Sequence, residues 1–167
     1  MCSSFGCSAV TRCYDRTDDN ANAPINHATE RSRMQRVVRN LLLDPMCEEN
    51  SSVWEKSSTG TIMRDQSTRQ FGLVSYRLTI WSSDCVYVRQ AVTLTPGKSY
   101  TLSGYVRSGG PRGVMRVSYT VGNETVTLDS EPGKVWEKTD NMPYERVSVS
   151  FTLPENAEPK VYCMAYC

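Results

Sequence analysis

The sequence predicts an all-β protein whose body is an antiparallel β-sandwich. From Asn40 onward, short runs rich in Val, Thr, Tyr and Ser alternate apolar and polar residues with a period of two, and turn-forming Pro, Gly, Asn and Asp separate them. Regularly spaced short strands of this kind are typical of sandwiches and barrels. Hydrophobic residues make up 39% of the 167 residues, and the mean hydropathy is −0.46. Both values favour a thin sandwich with two wet outer faces over a thick-cored α/β enzyme.

The first part of the chain, residues 1–39, lacks this alternation. Its later portion, Thr17–Arg39, is rich in Asp, Asn, Ala and Arg. Ala28–Arg39 has the length for about three helical turns, but its apolar stripe is too thin to fold alone. We therefore expect residues 1–39 to be a linker or the tail of a preceding unit, partly disordered, and residues 40–167 to be the sandwich domain.

The segments Asp84–Leu94 and Tyr100–Ser108 are the first predicted pair of strands. The turn Thr95–Lys98 between them contains Pro, which fixes φ, and Gly, which accepts a positive φ. This arrangement predicts a β-hairpin. The residues expected to face inward are Val86, Val88, Val92, Leu94, Leu102, Gly104 and Val106.

A second hairpin is predicted from Val114–Val121 to Glu124–Leu128, with Gly122-Asn123 as its turn. Further along, Val147, Val149, Phe151 and Leu153 alternate with polar residues, and Val161–Cys167 starts another strand. These segments complete the predicted antiparallel sandwich.

Several of these segments resemble the jelly-roll, galactose-binding-like carbohydrate-binding modules. Asn40–Glu48 is similar to the Asn-Leu-Leu…Phe-Glu opening strand of those modules, and Trp54 stands where they carry a Trp. Val88–Arg107 is similar to their Gln, apolar strand, Pro-Gly-Lys turn and Tyr-Thr-Leu-Ser strand, and Phe151–Pro154 resembles a late strand. Such modules also occur in bacterial cell-surface proteins with Tyr-Asp repeats, to which Cys13-Tyr14-Asp15 bears a faint likeness.

The resemblance has two departures and several implications. Cys47 stands where the family has an aromatic residue, and the sequence given stops at Cys167, before the strand that usually completes the sheet. We therefore expect a domain that lacks its last strand and belongs to a longer chain with flanking domains. The resemblance implies a non-catalytic, extracellular or cell-surface module, with its export signal outside this chain, that binds a polysaccharide or cell-surface glycan.

Sugar recognition needs aromatic faces for pyranose rings and planar polar groups for hydroxyl pairs. Trp81 lies at a predicted loop mouth, and Tyr and Arg residues alternate on the outward side of the central strands. The alternative is cross-strand Tyr–Arg packing on a solvated face of a structural spacer or adhesion domain. The candidate carbohydrate-binding residues are Trp81, Tyr87, Arg89, Tyr105, Arg107 and Arg116.

Trp54 and Trp136 lie at strand edges, where a core Trp is the commoner outcome. The family also implies a structural calcium ion, for which Glu48 is the corresponding ligand, with Asp44 or Glu49 as helpers. Calcium takes six to eight oxygen ligands, and a surface carboxylate without a metal is the alternative.

Charge, cysteine content and motifs argue against other classes of function. The net charge of +1 provides no strong positive potential that would attract nucleic acid. No apolar run approaches the ~20 residues of a membrane span. The seven cysteines lack the paired spacings of zinc sites, so buried or free thiols are expected first and disulfides second. The single histidine, His27, lies in the leader, which leaves a Ser-His-Asp or Cys-His site without support.

Overall fold

The computed structural model describes residues 3–8, 40–48, 52–80, 85–110, 112–135 and 142–167. These segments form ten β-strands and contain no helix, hence none long and apolar enough to cross a membrane. The strands are β1 (Ser3–Ser8), β2 (Glu55–Lys56), β3 (Thr61–Asp65), β4 (Ser75–Ile80), β5 (Tyr87–Thr93), β6 (Ser99–Ser108), β7 (Val114–Val121), β8 (Glu124–Asp129), β9 (Glu145–Thr152) and β10 (Ala157–Tyr166).

The strands form two five-stranded sheets. Sheet A has the order β3-β4-β1-β6-β9, and sheet B has the order β2-β5-β10-β7-β8. Neighbouring strands within each sheet are antiparallel. The predicted fold class, an all-β antiparallel sandwich of the jelly-roll type, is confirmed.

The inner faces of the two sheets meet in one apolar core. Inward positions alternate with outward ones as predicted, because a strand points successive side chains to opposite faces. Leu102 from sheet A and Val117 and Val161 from sheet B are at most 1% exposed. Trp54 is also buried and packs edge-on against Tyr76, with ring centroids 6.4 Å apart. Its predicted position in the core is therefore confirmed. Trp136 lies outside the described residues.

The first predicted hairpin is wrong. The strands β5 and β6 lie in opposite sheets, so the turn Thr95–Lys98 carries the chain across the core rather than back along the same sheet. Gly97 takes a positive φ of 79° there, and its N–H donates to the carbonyl of Leu153 at 2.7 Å. β5 buries Val88 and Val92, and β6 buries Leu102 and Val106. Two apolar faces of this kind are covered best when they pack against each other.

The second predicted hairpin is confirmed, since β7 and β8 pair from Val121↔Glu124 to Arg116↔Asp129. The segment after it also forms strands as expected. However, β10 lies between β5 and β7 and pairs with both, so it is a central strand of sheet B. A further strand beyond Cys167 stays a prediction.

Part of the predicted leader belongs to the sandwich. Ser3–Ser8 forms β1, which lies inside sheet A and pairs with β4 and β6. The expectation that the sandwich begins at residue 40 is therefore wrong for this segment, because its two partners come more than 65 residues later in the chain. The helix considered at Ala28–Arg39 lies outside the described residues.

The predicted opening strand at residues 40–48 is a loop instead. Asp44 and Cys47 have positive φ values of 44° and 57°, which interrupt an extended conformation. The loop is held by the buried Gln90, whose side-chain amide accepts the N–H of Leu43 at 2.7 Å and donates to its carbonyl at 3.0 Å. Leu42 is thereby packed into the core.

Candidate functional site

The structure divides the predicted carbohydrate-binding residues between two opposite surfaces. Tyr87, Arg89 and Arg116 lie on the outer face of sheet B, and Tyr105 and Arg107 lie on the outer face of sheet A. Trp81 lies outside the described residues. The expectation of one shared groove fails because β5 and β6 are not neighbours. Two separate faces must be compared.

On the outer face of sheet B, the half-buried Arg89 contacts three neighbouring side chains. Its guanidinium donates to the carboxylate of Glu55 on β2, and its Cζ lies 4.6 Å from the ring centroid of Tyr162 and 5.5 Å from that of Tyr87. Cation–π contacts and ion pairs of this kind hold neighbouring strands together.

Arg116 has a similar environment on the other side of β10. Its Nε and Nη2 donate to the two carboxylate oxygens of Asp129 at 2.6 and 2.8 Å, and Nη2 also donates to the Tyr166 hydroxyl at 2.6 Å. The hydrogen bond from Arg116 lowers the pKa of Asp129, and burial, followed by the hydrogen bond to Asp129, raises the pKa of Tyr166. Both predicted arginines of this face are thus paired with carboxylates, which matches the cross-strand packing alternative.

The outer face of sheet A has a different composition. By strand register, Gly6 on β1 is flanked by Arg77 on β4 and Arg107 on β6. Directly paired residues of antiparallel strands share a face, and glycine adds no side chain to it. The two arginines therefore stand on either side of a gap about two strand spacings, roughly 10 Å, wide.

An aromatic pair lies one step further along the same face. The loop between β3 and β4 places the ring of Phe71 edge-on to the ring of Tyr105 on β6, with centroids 5.2 Å apart and planes at 73°. Phe71 is nevertheless 45% exposed. Ser75 under the loop is fully buried although its position faces outward, and its hydroxyl donates to the carbonyl of Thr68 at 2.5 Å. The loop therefore forms a wall on the face.

Glu48 lies at the base of this wall. Its Oε1 accepts the N–H of Leu73 at 3.1 Å, and its own N–H donates to Asp44 Oδ1 at 2.9 Å. The guanidinium of Arg64 donates to the backbone carbonyls of Cys47 and Glu48. Glu48 thus ties the 40–48 loop to the loop that carries Phe71.

The described residues contain no group of three or more His, Cys, Asp or Glu side chains placed to hold a metal. Calcium needs six to eight oxygens, and the carboxylates of Glu48 and Asp44 alone fall short of that set. Glu49 lies outside the described residues, and calcium at Glu48 stays a prediction.

Several residues on the two faces were missed by the sequence reasoning. Tyr162 and Tyr166 alternate with buried residues along β10, so their period-two pattern was a usable signal. Phe71 and Arg77 carried no such signal, because the loop and the β1 pairing that give them their place are set by contacts distant in sequence.

Comparison with known proteins supports the fold. No protein-family model matches the chain, and no curated protein matches it. It is similar to the crystal structure of the CBM22-1–GH10 modules of the N-terminal endo-1,4-β-D-xylanase 10B from Clostridium thermocellum in complex with xylohexaose. The identity is 13%, the TM-score is 0.51, and the match covers 68% of this chain and 24% of that one. At this identity the likeness concerns the fold alone, which is compatible with a carbohydrate-binding-module-like sandwich.

Proposed function

We propose that this chain is a non-catalytic carbohydrate-binding module, which binds a polysaccharide or cell-surface glycan on the outer face of sheet A. The observation that carries the proposal is the pair formed by the exposed Phe71 and the half-buried Tyr105, beside the gap between Arg77 and Arg107.

The chemistry of this face suits a sugar chain. Aromatic rings cover the apolar side of a pyranose, and guanidinium groups donate to its hydroxyls in a fixed planar geometry. The wall formed by the β3–β4 loop adds depth to one side of the sheet, and concave surfaces bind small ligands better than flat ones. Sheet B offers tyrosines and arginines too, and its Arg89 and Arg116 hydrogen-bond to carboxylates of neighbouring strands. On sheet A, Arg77 lies 3.7 Å from Asp65, and Arg107 lies 6.0 Å from the ring centroid of Tyr144.

The proposal extends to the setting of the domain. We place it within a larger secreted or cell-surface protein, where a module of this type would hold neighbouring domains against a glycan. A structural calcium ion at Glu48 is part of the same proposal, and a rise in the unfolding temperature on adding calcium after EDTA treatment would support it.

Affinity gel electrophoresis with soluble arabinoxylan, mixed-linkage β-glucan and galactomannan tests the binding. We expect at least one polysaccharide to retard the protein, and we expect Tyr105→Ala to lower the affinity at least tenfold, since truncating a central aromatic contact costs about 2 kcal/mol. Titration monitored by intrinsic Trp fluorescence provides a second readout.

Tyr162→Ala is the matched control, because it removes the same side chain from the opposite face. Its affinity should stay within about twofold of the wild-type value. Loss of binding in Tyr162→Ala with retention in Tyr105→Ala would move the site to sheet B. A folded protein retarded by no polysaccharide would leave the spacer or adhesion domain as the better description.

A further inference from the structure

A polar recess lies at the edge of sheet A, at the end of β3. It is lined by Met63, Arg64, Asp65, Gln66, Ser67 and Arg77. Asp65 pairs by register with Ser75, and Met63 pairs with Arg77. Arg77 and Arg107 both pair with Gly6 of β1, so the recess lies on the same outer face as Tyr105. The β3–β4 loop starts at this recess and reaches Tyr105 through Phe71, so the two features border one surface.

The two carboxylate oxygens of Asp65 have different surroundings. Oδ1 accepts the N–H of Ser67 at 2.8 Å and its hydroxyl at 2.5 Å, which fixes the turn after β3. Oδ2 is buried and accepts no hydrogen bond from any residue in the described segments. The closest positive group, Arg77 Nη1, is 3.7 Å away, which is beyond hydrogen-bonding distance.

An unsatisfied oxygen of this kind is unusual. The Asp65 side chain is only 9% exposed, and a buried acceptor without a donor destabilises the folded protein. Burial alone raises the pKa of Asp65, but the hydrogen bonds from Ser67 and the charge of Arg77 outweigh it and hold the pKa below its ordinary value. The group is therefore an ionised acceptor at neutral pH, which can only receive a hydrogen bond.

The geometry points to a sugar subsite in this recess, in which Asp65 Oδ2 accepts a hydrogen bond from one hydroxyl of a vicinal diol while Arg77 donates to its neighbour. The inference rests on the proposed function and adds to it a class of ligand, a neutral sugar unit with two free adjacent hydroxyls. A hydroxyl has the proton that Asp65 Oδ2 can accept, whereas an ionised carboxylate or sulfate group has none to donate. The distance from β3 to β6 is three strand spacings, about 14 Å, so a single chain of several sugar units reaches from the recess to Tyr105.

Isothermal titration with xylohexaose, cellohexaose and mannohexaose tests the subsite in wild type, Asp65→Asn, Ser75→Ala and Tyr105→Ala. Asparagine retains an oxygen for Ser67 and replaces the accepting Oδ2 with a donating NH2 group. We expect Asp65→Asn to lower the affinity at least tenfold for each hexasaccharide that the wild type binds. Ser75→Ala loosens the same loop at Thr68 without changing a group that lines the recess. Its loss of affinity therefore measures the contribution of the loop, and the loss in Asp65→Asn should exceed it at least fivefold.

The outcomes separate the subsite from the proposed function. If Tyr105→Ala loses binding and Asp65→Asn binds like wild type, the recess is not a subsite although the module binds glycans. Equal losses in Asp65→Asn and Ser75→Ala would assign Asp65 to holding the loop and overturn the subsite. A wild-type protein that binds none of the three hexasaccharides overturns the subsite, and the polysaccharide retardation assay then decides the proposed function independently.

Discussion

Gln90 places a primary amide in an otherwise apolar row of β5. It is 3% exposed, and burying an amide is tolerable only where its donor and acceptor are both used. In Gln90 a single residue uses both groups: the N–H of Leu43 donates to the Gln90 amide oxygen, and the Gln90 amide nitrogen donates to the carbonyl of Leu43. The side chain thus gives a loop without strand pairing a hydrogen-bonded connection to sheet B.

Replacing Gln90 by Ala should lower the free energy of unfolding by about 1–3 kcal/mol, because two backbone groups of Leu43 lose their partners. Urea denaturation measures the change. Thr93→Ala on the same strand is exposed and serves as the control, with an expected change within about 0.5 kcal/mol. Equal effects of the two substitutions would show that the Gln90 amide does not hold the loop.

At the scale of elements, the turns of the sandwich depend on glycine for two separable reasons. Gly60 and Gly122 both have left-handed φ values, 69° and 61°. A Cβ on Gly60 would lie 2.3 Å from Val86 Cγ2 and 2.5 Å from the carbonyl oxygen of Thr79, whereas a Cβ on Gly122 meets nothing within 4 Å. The pair therefore separates the cost of the backbone conformation from the cost of a clash.

Gly122→Ala should lower the free energy of unfolding by about 1 kcal/mol, from the strained φ value alone. Gly60→Ala should lower it by about 3 kcal/mol, because the added Cβ also clashes with its neighbours. Thermal unfolding monitored by circular dichroism compares the two. Equal shifts would mean that the structure around Gly60 relaxes without cost.

The elements with clear alternation were predictable, and the rest were not. β6, β7, β9 and β10 were each located from valines or aromatics at period two, because each has one face in the core and one in water. β1 contains three serines, a glycine and a cysteine around Phe5 and has no such pattern, so only its partners identify it as a strand.

The residues of the candidate site were likewise predictable only where they lie on a strand with clear alternation. Tyr105 and Arg107 were named from their outward parity on β6. Their partners on the face, Phe71 and Arg77, depend on where a loop and a distant strand pack, and neighbouring residues in the sequence do not specify that. The same dependence on sheet assignment explains why Tyr87, Arg89 and Arg116 were grouped with them.

At the scale of the whole molecule, a buried tyrosine and a half-buried thiol make stability sensitive to alkali. Burial, followed by the proximity of Cys85, raises the pKa of the Cys167 thiol from 9.0 to about 12. Burial, followed by the charges of Cys47 and Asp44, raises the pKa of Tyr76 from 10.0 to about 12. In each case the folded state retains a proton that the unfolded chain releases.

The free energy of unfolding should therefore receive the full contribution of these groups below pH 9, and lose it progressively as the pH rises toward 12. Tyr76→Phe should reduce the decline between pH 10 and 12 by about 1–2 kcal/mol. Urea unfolding at a series of pH values gives the profile. An identical alkaline slope in wild type and Tyr76→Phe would contradict the contribution of Tyr76.

The pairing of β1 also has a consequence for synthesis on the ribosome. This strand precedes its partners β4 and β6 in the chain, and sheet B closes around β10, which follows the other nine described strands. Neither sheet is complete in a nascent chain that ends before Glu145, the start of β9. Such long-range pairings form slowly, so unpaired strand edges persist in sheet A until β9 has been translated and in sheet B until β10 has been translated.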